Sequence, residues 1–372
     1  MQKIGLIDAD LIGRKNQRFP NLAIMKISAH HKARGDKVEL VTDYSHLASD
    51  NMLIPLKKYD KIYLSKVFTN TEVPEWVLTL PNLEYGGTGF FFDTAPPLPD
   101  EIEHHMPDYH VYDQWVSEKI ASGRNRHRFA EYLDYSIGFT TRGCFRKCSF
   151  CVNRKYDTAV LHSPISEFVD EKRPKICLLD DNVFACKEWE EIITGLQKTK
   201  KPFTFKQGLD IRLLSEKKAK VLDNSRYDRR VYFAFDDYDD RELIIDKLKL
   251  WRKFSKKDTK LYVLTGFDKQ NKYDEDFWLS DIASTFERIR IILDYDCLPF
   301  VMRFERAYNS PFKAMYEAIS NWTNSSGFVY RKSFREYINY KRFKLDFFED
   351  FEKRYPEIAK KYFETKRNIE WR

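Results

Sequence analysis

The sequence predicts an α/β protein with two domains and a helical C-terminal region. The chain has 372 residues, which corresponds to about two domains of ordinary size. Short apolar runs alternate with segments of helical periodicity, the pattern of parallel sheets connected by helices. Apolar residues make up 42% and charged residues 33% of the chain, which argues for a packed core and against a disordered protein.

The first domain is predicted over residues 1–95. Its helix is expected over 21–34, with Gly35 following its last turn, and residues 8–20 are expected to form a polar loop. Four strands are expected, at residues 3–8, 38–42, 59–65 and 83–85. Strand and helix in this order indicate a small parallel sheet.

Residues 96–133 are predicted to connect this domain to the next, because prolines recur between residues 93 and 110 and exclude a helix interior or a central strand.

The second domain is predicted over residues 134–305. Strands are expected at residues 135–140, 175–180, 203–208, 230–236, 260–265 and 300–305. Helices are expected between them, around residues 164–172, 187–199, 215–224, 239–254 and 277–288. Six strands that alternate with helices predict a curved, partial (β/α)6 barrel of the TIM type.

Residues 306–372 are predicted to form a helical cap. Residues 331–372 contain 13 Lys or Arg and 8 Asp or Glu, a difference of +5 that accounts for most of the net charge of +7. Aromatic residues recur at helical spacing, at Phe334, Tyr337, Phe343, Phe347, Phe348 and Phe351. We favour packing of these rings over a nucleic-acid surface, because acidic residues interleave with the basic ones.

Three of the six cysteines form a CxxxCxxC motif after the first strand of the second domain: Cys144, Cys148 and Cys151. Three thiolates in one loop can each bind one iron of a cubane cluster and leave the fourth iron open. Zinc is the less favoured interpretation, because zinc sites usually combine two ligand pairs and Cys177, Cys186 and Cys297 are isolated. For the same reason we expect no auxiliary cluster.

This motif, with Phe150 before its third cysteine and the strand pattern that follows, resembles the radical S-adenosylmethionine (SAM) superfamily over residues 134–305. The resemblance implies a 4Fe–4S cluster on the three cysteines and SAM on the fourth iron. It also implies reductive cleavage of SAM, and therefore a one-electron donor such as flavodoxin or ferredoxin. The cofactor supplies the radical, and the protein supplies its position and excludes water.

The resemblance also selects residues for SAM binding, since sites of such barrels lie at the carboxyl ends of the strands. The candidates are Phe150, Asp180, Asp181, Asn182, Gln207, Asp210, Arg212 and Asp236. Asp180-Asp181-Asn182 stands where the family commonly has Gly-Gly-Glu, which leaves open which carboxylate acts. A helix cap by Asp181 or Asn182, and a solvated acidic loop around Asp236, are the structural alternatives.

The N-terminal segment resembles the Rossmann-like, cobalamin-binding domain that precedes many radical SAM domains. That family carries DxHxxG, whose histidine ligates cobalt, whereas this chain has Asp8, Asp10 and Gly13. Because Asp10 replaces the ligand, we expect no bound cobalamin; a cobalamin-dependent methyltransferase is the alternative. Asp8 and Asp10 could instead cap the helix or bind a cation.

Other features assign no substrate. His30-His31 and His104-His105 are interpreted as ordinary surface or packing residues. No apolar run reaches the length of about 18 residues that a membrane span needs, and the N-terminus does not resemble a signal peptide, so a cytoplasmic location is expected. The alternative to an enzyme is a non-catalytic protein with zinc or a structural Fe–S cluster.

Overall fold

The computed structural model describes residues 1–15, 17–48 and 58–367. These residues form two compact units. The first contains the described residues of Met1–Asp181 and Cys186–Phe203, and the second contains Asn182–Ala185 and residues 204–367. In the described ranges, no helix has the length and apolar character needed to cross a membrane. The predicted domain boundaries are a different division of the chain and stay a prediction.

The first unit begins with a four-stranded parallel sheet. Its strands are β1 (Lys3–Asp8), β2 (Lys37–Leu40), β3 (Lys61–Ser65) and β4 (Leu83–Gly86), in the order β2-β1-β3-β4. Successive side chains point to opposite faces, so Ile4 and Leu6 enter one apolar cluster and Ile7 enters another. Both faces are therefore covered, as is usual for a parallel sheet.

The same unit contains a second sheet, which begins with β5 (Tyr135–Gly138). A short antiparallel pair follows, β6 (Thr141–Arg142) with β7 (Val160–Leu161). The chain then forms β8 (Lys175–Leu178), parallel to β5, and β9 (Phe203–Phe205), of which Phe203 is the last residue of this unit; the strand order is β5-β8-β9. The hairpin of β6 and β7 was not predicted.

The helices of the first unit are α1 (Ala9–Gly13), α2 (Leu22–Ala33), α3 (Glu75–Leu78), α4 (Thr88–Phe91), α5 (Asp100–Glu103), α6 (Asp113–Ala121), α7 (Ala130–Leu133) and α8 (Trp189–Lys198). Helix α2 ends as predicted, because Gly35 adopts φ +80° just beyond it. The connector is not a bare linker, since Tyr112, Phe129 and Tyr132 enter the core cluster of the first sheet.

Two predictions about this unit are wrong. Residues 8–20 are not all loop, because Asp8 caps helix α1 by accepting the backbone N–H of Leu11. Residues 164–172 form no α-helix but a single 3-10 turn, Ile165–Glu167. There the hydroxyl of Tyr109 donates to the Phe168 carbonyl, which a helix would have used itself.

The second unit contains three further predicted strands, β10 (Val231–Ala234), β11 (Thr259–Thr265) and β12 (Leu298–Arg303), paired in parallel in that order. Its helices are α9 (Glu216–Asp223), α10 (Arg241–Phe254), α11 (Glu275–Asp294), α12 (Lys313–Asn324), α13 (Ser326–Val329), α14 (Phe334–Lys341), α15 (Leu345–Arg354) and α16 (Pro356–Tyr362). The six strands predicted for the second domain are thus all present, in two sheets.

The C-terminal aromatic residues pack inside the second unit. Phe334, Tyr337, Phe348 and Phe351 are buried, and the ring centroid of Phe334 lies 5.0 Å from that of Phe286 on α11. This agrees with the packing role that the helical spacing predicted.

Candidate functional site

The three clustered cysteines lie in one loop, which we call the cysteine loop (residues 143–159). It leaves the sheet through β6 and returns through β7, whose pairing aligns Thr141 with Leu161 and Arg142 with Val160. Cys144, Cys148 and Cys151 are each half-buried. None of the six cysteines, all within the described residues, forms a disulfide.

Asp180 fixes the segment that leads into the cysteine loop. It follows β8, whose parallel register aligns Leu178 with Gly138 at the end of β5. Its carboxylate accepts the backbone N–H and the hydroxyl of both Thr140 and Thr141, at 2.5 to 3.2 Å. Burial raises the pKa of Asp180, and these donors counteract that rise.

Asp181 joins the two parts of the cysteine loop that flank the three cysteines. The backbone N–H of Gly143 donates to its Oδ2 at 2.8 Å, and the Asn153 side-chain amide donates to its Oδ1 at 2.5 Å. Gly143 precedes Cys144 directly and Asn153 follows Cys151 by two residues. Burial raises the pKa of Asp181, while the Gly143 N–H lowers it. One carboxylate thereby restrains the loop on both sides of the three thiols.

Gly143 is required where it stands. Its φ is +93°, and a Cβ there would lie 2.3 Å from the carbonyl oxygen of Thr158. No side chain fits at that distance, so the backbone at the two ends of the loop can approach only through glycine.

Lys147 links the first half of the cysteine loop to the second half. Its Nζ donates to the carbonyl oxygens of Arg154 and Tyr156 at 2.8 and 2.5 Å and lies 2.6 Å from the carboxylate of Asp157. The residues after Cys151 are therefore tied to a residue between the first two cysteines.

Two sulfur atoms of the loop accept hydrogen bonds from the backbone. The N–H of Arg146 donates to Cys144 Sγ and that of Asn153 to Cys151 Sγ, each at 3.4 Å. Burial raises the pKa of Cys151, the Asn153 N–H lowers it, and the charge of Asp181 raises it further. Bound iron would reverse this by holding the thiolate form.

The donor set fits a 4Fe–4S cluster. It offers three thiols on a single loop with N–H donors to the sulfurs, which is the usual environment of such clusters. Among the described residues, no three His, Cys, Asp or Glu side chains surround a single-ion position. A cubane does not need that arrangement, because each cysteine binds a different iron atom.

A buried ionic cluster, which the sequence did not reveal, precedes the loop. Glu103 Oε1 lies 2.9 Å from Lys26 Nζ, 3.1 Å from Arg142 and 3.4 Å from His162. Burial lowers the pKa of Lys26 and, with the charge of Arg142, lowers that of His162 to about 4. This cluster anchors Arg142, the last residue before Gly143. The only sign of this cluster in the sequence was Glu103, an acidic residue directly before the His104-His105 pair of the connector.

The histidine pairs have packing and ion-pair roles. His31 is buried, with Nδ1 2.8 Å from Asp36 and Nε2 3.2 Å from the hydroxyl of Tyr63. His104 Nδ1 lies 2.8 Å from Glu167.

The remaining SAM candidates lie in different places. Phe150 is half-buried in the cysteine loop, whereas Asn182, Gln207, Asp210, Arg212 and Asp236 belong to the second unit. There Arg212 lies 2.7 Å from both Asp210 and Asp240, and Asp236 accepts the backbone N–H of Leu264 at 3.0 Å. Gln207 is exposed, and Asn182 is buried. Phe150 thus belongs to the same unit as Asp180 and Asp181, and Asp210 pairs with Arg212 in the other unit.

Arg288, which the sequence did not single out, is buried beneath β10 and β11. It donates to the carbonyl oxygens of Asp236 and Leu264 at 2.7 and 2.8 Å. Arg288 therefore holds the carboxyl ends of β10 and β11 together, next to the SAM candidate Asp236.

Asp10 occupies the position at which the cobalamin-binding family has its cobalt ligand. Its side chain is fully buried; the backbone N–H of Val67 donates to it at 2.7 Å, and so does the hydroxyl of Thr71. Asp8 accepts the hydroxyl of Tyr112 at 2.9 Å. Both carboxylates are directed into the first unit, so Asp10 does not fit the role of an axial ligand.

Comparison with known proteins gives a likeness in fold. No family model matches the chain, and no curated protein matches it. A solved structure of the radical SAM methyltransferase TsrM from Kitasatospora setae, with cobalamin and a [4Fe–4S] cluster bound, is 12% identical with a TM-score of 0.53. The match covers 81% of this chain and 74% of that one.

A second structure of TsrM, with tryptophan substrate and a SAM analogue bound, is 11% identical with the same TM-score, over 81% of this chain and 73% of that one. At this identity the likeness establishes the fold. The predicted α/β fold class and the resemblance to radical SAM proteins with a cobalamin-binding-like domain are thus confirmed at the level of fold.

Proposed function

We propose that this protein is a radical SAM enzyme that holds a 4Fe–4S cluster on Cys144, Cys148 and Cys151. The observation that carries the proposal is the restraint of the cysteine loop by Asp181 on both sides of the three cysteines. When bound, such a cluster supplies the electron that cleaves SAM and releases the 5′-deoxyadenosyl radical. The likeness in fold to a radical SAM methyltransferase supports this assignment.

The residues of the chain have distinct tasks in this proposal. Asp180 and Asp181 hold the loop, and the backbone N–H groups of Arg146 and Asn153 stabilise negative charge on the sulfurs. Phe150 covers the cluster. SAM or the substrate is bound by five polar residues, Asn182, Gln207, Asp210, Arg212 and Asp236. The ion pair with Asp210 fixes the orientation of the Arg212 guanidinium.

The reaction needs an external one-electron donor, for which we propose a flavodoxin or ferredoxin. The proposal also includes a cytoplasmic location. It does not name the substrate.

Anaerobic reconstitution with iron and sulfide tests the proposal. We expect about four irons per chain and release of 5′-deoxyadenosine from SAM under reduction. Cys148→Ser should lose both. Cys297→Ala, which changes a cysteine outside the loop, should retain both and serves as the matched control. Binding of zinc in place of the cluster, or a reduced cluster that never cleaves SAM, would overturn the enzyme assignment.

A second candidate is cobalamin-dependent methyl transfer. One observation favours it: the two TsrM structures are of a methyltransferase, one with cobalamin bound, and each matches 81% of this chain, more than the barrel alone. The burial of Asp10 argues against a protein ligand to cobalt, so cobalamin would bind here without one. Purification with cobalamin supplied, followed by the visible spectrum, decides: stoichiometric cobalamin supports this candidate, and its absence removes it.

A further inference from the structure

The second unit contains a cavity that no step of the proposed reaction uses. Its volume is about 310 Å³, within the range of small-molecule sites. Three segments line it: the start of α11 with the residues before it, the residues before α12, and helix α15. Six of the lining residues are aromatic: Tyr273, Trp278, Phe312, Phe347, Phe351 and Tyr355.

The aromatic rings form two walls. On one side the centroids of Tyr273 and Trp278 lie 5.5 Å apart. On the other, Tyr355 lies 5.0 Å from Phe351 and 5.9 Å from Phe312. The rings are thus fixed by each other before any ligand arrives, which lowers the entropic cost of binding.

Tyr273 is held in a strained conformation at the edge of this cavity. Its φ of +54° is in the left-handed region, which costs a non-glycine residue about 1 kcal/mol. Its N–H donates to Asp268 at 3.1 Å, and its carbonyl accepts the indole N–H of Trp278 at 3.0 Å. Such strain is retained where the surroundings determine the conformation, and it often marks a binding site.

The charges at the rim favour a cation. Glu275 and Asp350 line the cavity together with one positive residue, Arg354. Arg354 lies 3.9 Å from Glu275 and 3.7 Å from Asp350, and all three side chains are more than half exposed. Contacts this long and this exposed contribute little. Glu275 also accepts the hydroxyl of Tyr355 at 2.6 Å, so the carboxylate that is available to a ligand is that of Asp350.

We infer that this cavity binds a small organic cation whose charge is spread over methyl groups, of the quaternary ammonium type. The faces of aromatic rings attract such cations, and methyl groups fill an apolar cavity better than a hydrated metal ion does. The carboxylate of Asp350 balances the charge of the ligand at the rim. This inference does not depend on the cluster or on SAM.

Calorimetry of the full-length protein with choline tests it. The comparison ligand is 3,3-dimethylbutan-1-ol, which has the shape of choline without its charge. We expect choline to bind at one site at least about tenfold more tightly than the alcohol. Equal affinity for the two ligands, or no binding of choline up to about 10 mM, would overturn the inference.

Two variants locate the binding. Phe347→Ala removes one ring and Asp350→Asn removes one charge, and each should weaken choline binding about three- to tenfold. Asp346→Asn, on the same helix but outside the cavity, is the matched control and should bind choline like the unaltered protein. Since Asp350 is exposed, its variant keeps the fold even if Phe347→Ala does not. Unchanged choline binding in Asp350→Asn, or in a folded Phe347→Ala, would contradict the inference.

Discussion

Two strand ends of the first unit carry the same pattern of two neighbouring carboxylates. Asp8 is the last residue of β1 and Asp10 lies two residues beyond it, and Asp180 and Asp181 follow β8. All four are hydrogen-bonded to residues of other segments. Carboxylates at strand ends are therefore used here to hold neighbouring backbone, and their position alone does not show that they bind a cofactor.

The difference lies in what the carboxylates hold. The first pair fastens helix α1 and the residues after β3, where the described residues include no cysteine. The second pair fastens the cysteine loop. Burial raises the pKa of Asp8 to about 7. The first pair therefore fastens parts of the fold outside the cysteine loop, whereas the second pair fastens the cysteine loop to the end of β8.

The largest effect is expected from Asp180→Ala. Without the carboxylate, the N–H groups and hydroxyls of Thr140 and Thr141 are left buried and unpaired, at about 1–3 kcal/mol each when fully unsatisfied. We expect the free energy of unfolding to fall by about 4 kcal/mol in chemical denaturation. Glu171→Ala, at an exposed position of the same unit, is the control. A fall of less than about 1 kcal/mol would contradict the role given to Asp180.

The next effect is a pH dependence that arises from Asp8. Its pKa rises from 3.8 to about 7 on folding, so the folded protein keeps a proton that the unfolded chain releases above pH 3.8. Stability should therefore fall as pH rises from about 4 to about 7, by at most about 1.4 kcal/mol per pH unit, and Asp8 adds no slope above that window.

Asp8→Asn should remove this slope, and denaturation of both proteins across that pH range measures the difference. Identical slopes in the two proteins would show that Asp8 is ionised throughout.

Asp181→Asn should weaken the cluster site without unfolding the protein. One hydrogen bond to a charged acceptor is lost, worth about 1.5 kcal/mol or more, which corresponds to about tenfold in the retention of iron. Iron content after dilution into chelator measures this, with 5′-deoxyadenosine formation as the second readout. Iron retention equal to that of the unaltered protein would show that the loop does not depend on Asp181.

The smallest effect on iron is expected from Asp10→Asn, the counterpart of Asp181→Asn at the other strand end. It should lower stability by about 1 kcal/mol, because the bonds from Val67 and Thr71 become weaker, and leave iron content unchanged. If Asp10→Asn lost as much iron as Asp181→Asn, the conclusion that only the carboxylates after β8 support the cluster site would be wrong.

The sequence predicted the strands and helices more completely than the contacts between residues that are distant in the chain. The strands were visible because apolar runs recur, and the cysteine motif because its spacing is rare. The hairpin of β6 and β7 was not visible, because strands of two residues carry no periodicity. The contact between Asp181 and Gly143 was not visible either. It depends on the parallel register of β5 and β8, which brings together two distant parts of the chain.

For the same reason, the sequence assigned Asp180 and Asp181 directly to SAM. A strand-end position is visible in a sequence, but the threonine hydroxyls opposite Asp180 become its neighbours only through pairing of the strands. The SAM contacts of the eight candidates stay predictions.

The short hairpin at the base of the cysteine loop also affects hydrogen exchange. Because β6 and β7 pair through only two residues each, the loop can open without disturbing β5 or β8. Amide protons between Gly143 and Ala159 should then exchange through local opening in the metal-free protein, while those of β5 and β8 exchange only with wider unfolding. Cluster insertion would be a local folding event on a scaffold that is already formed.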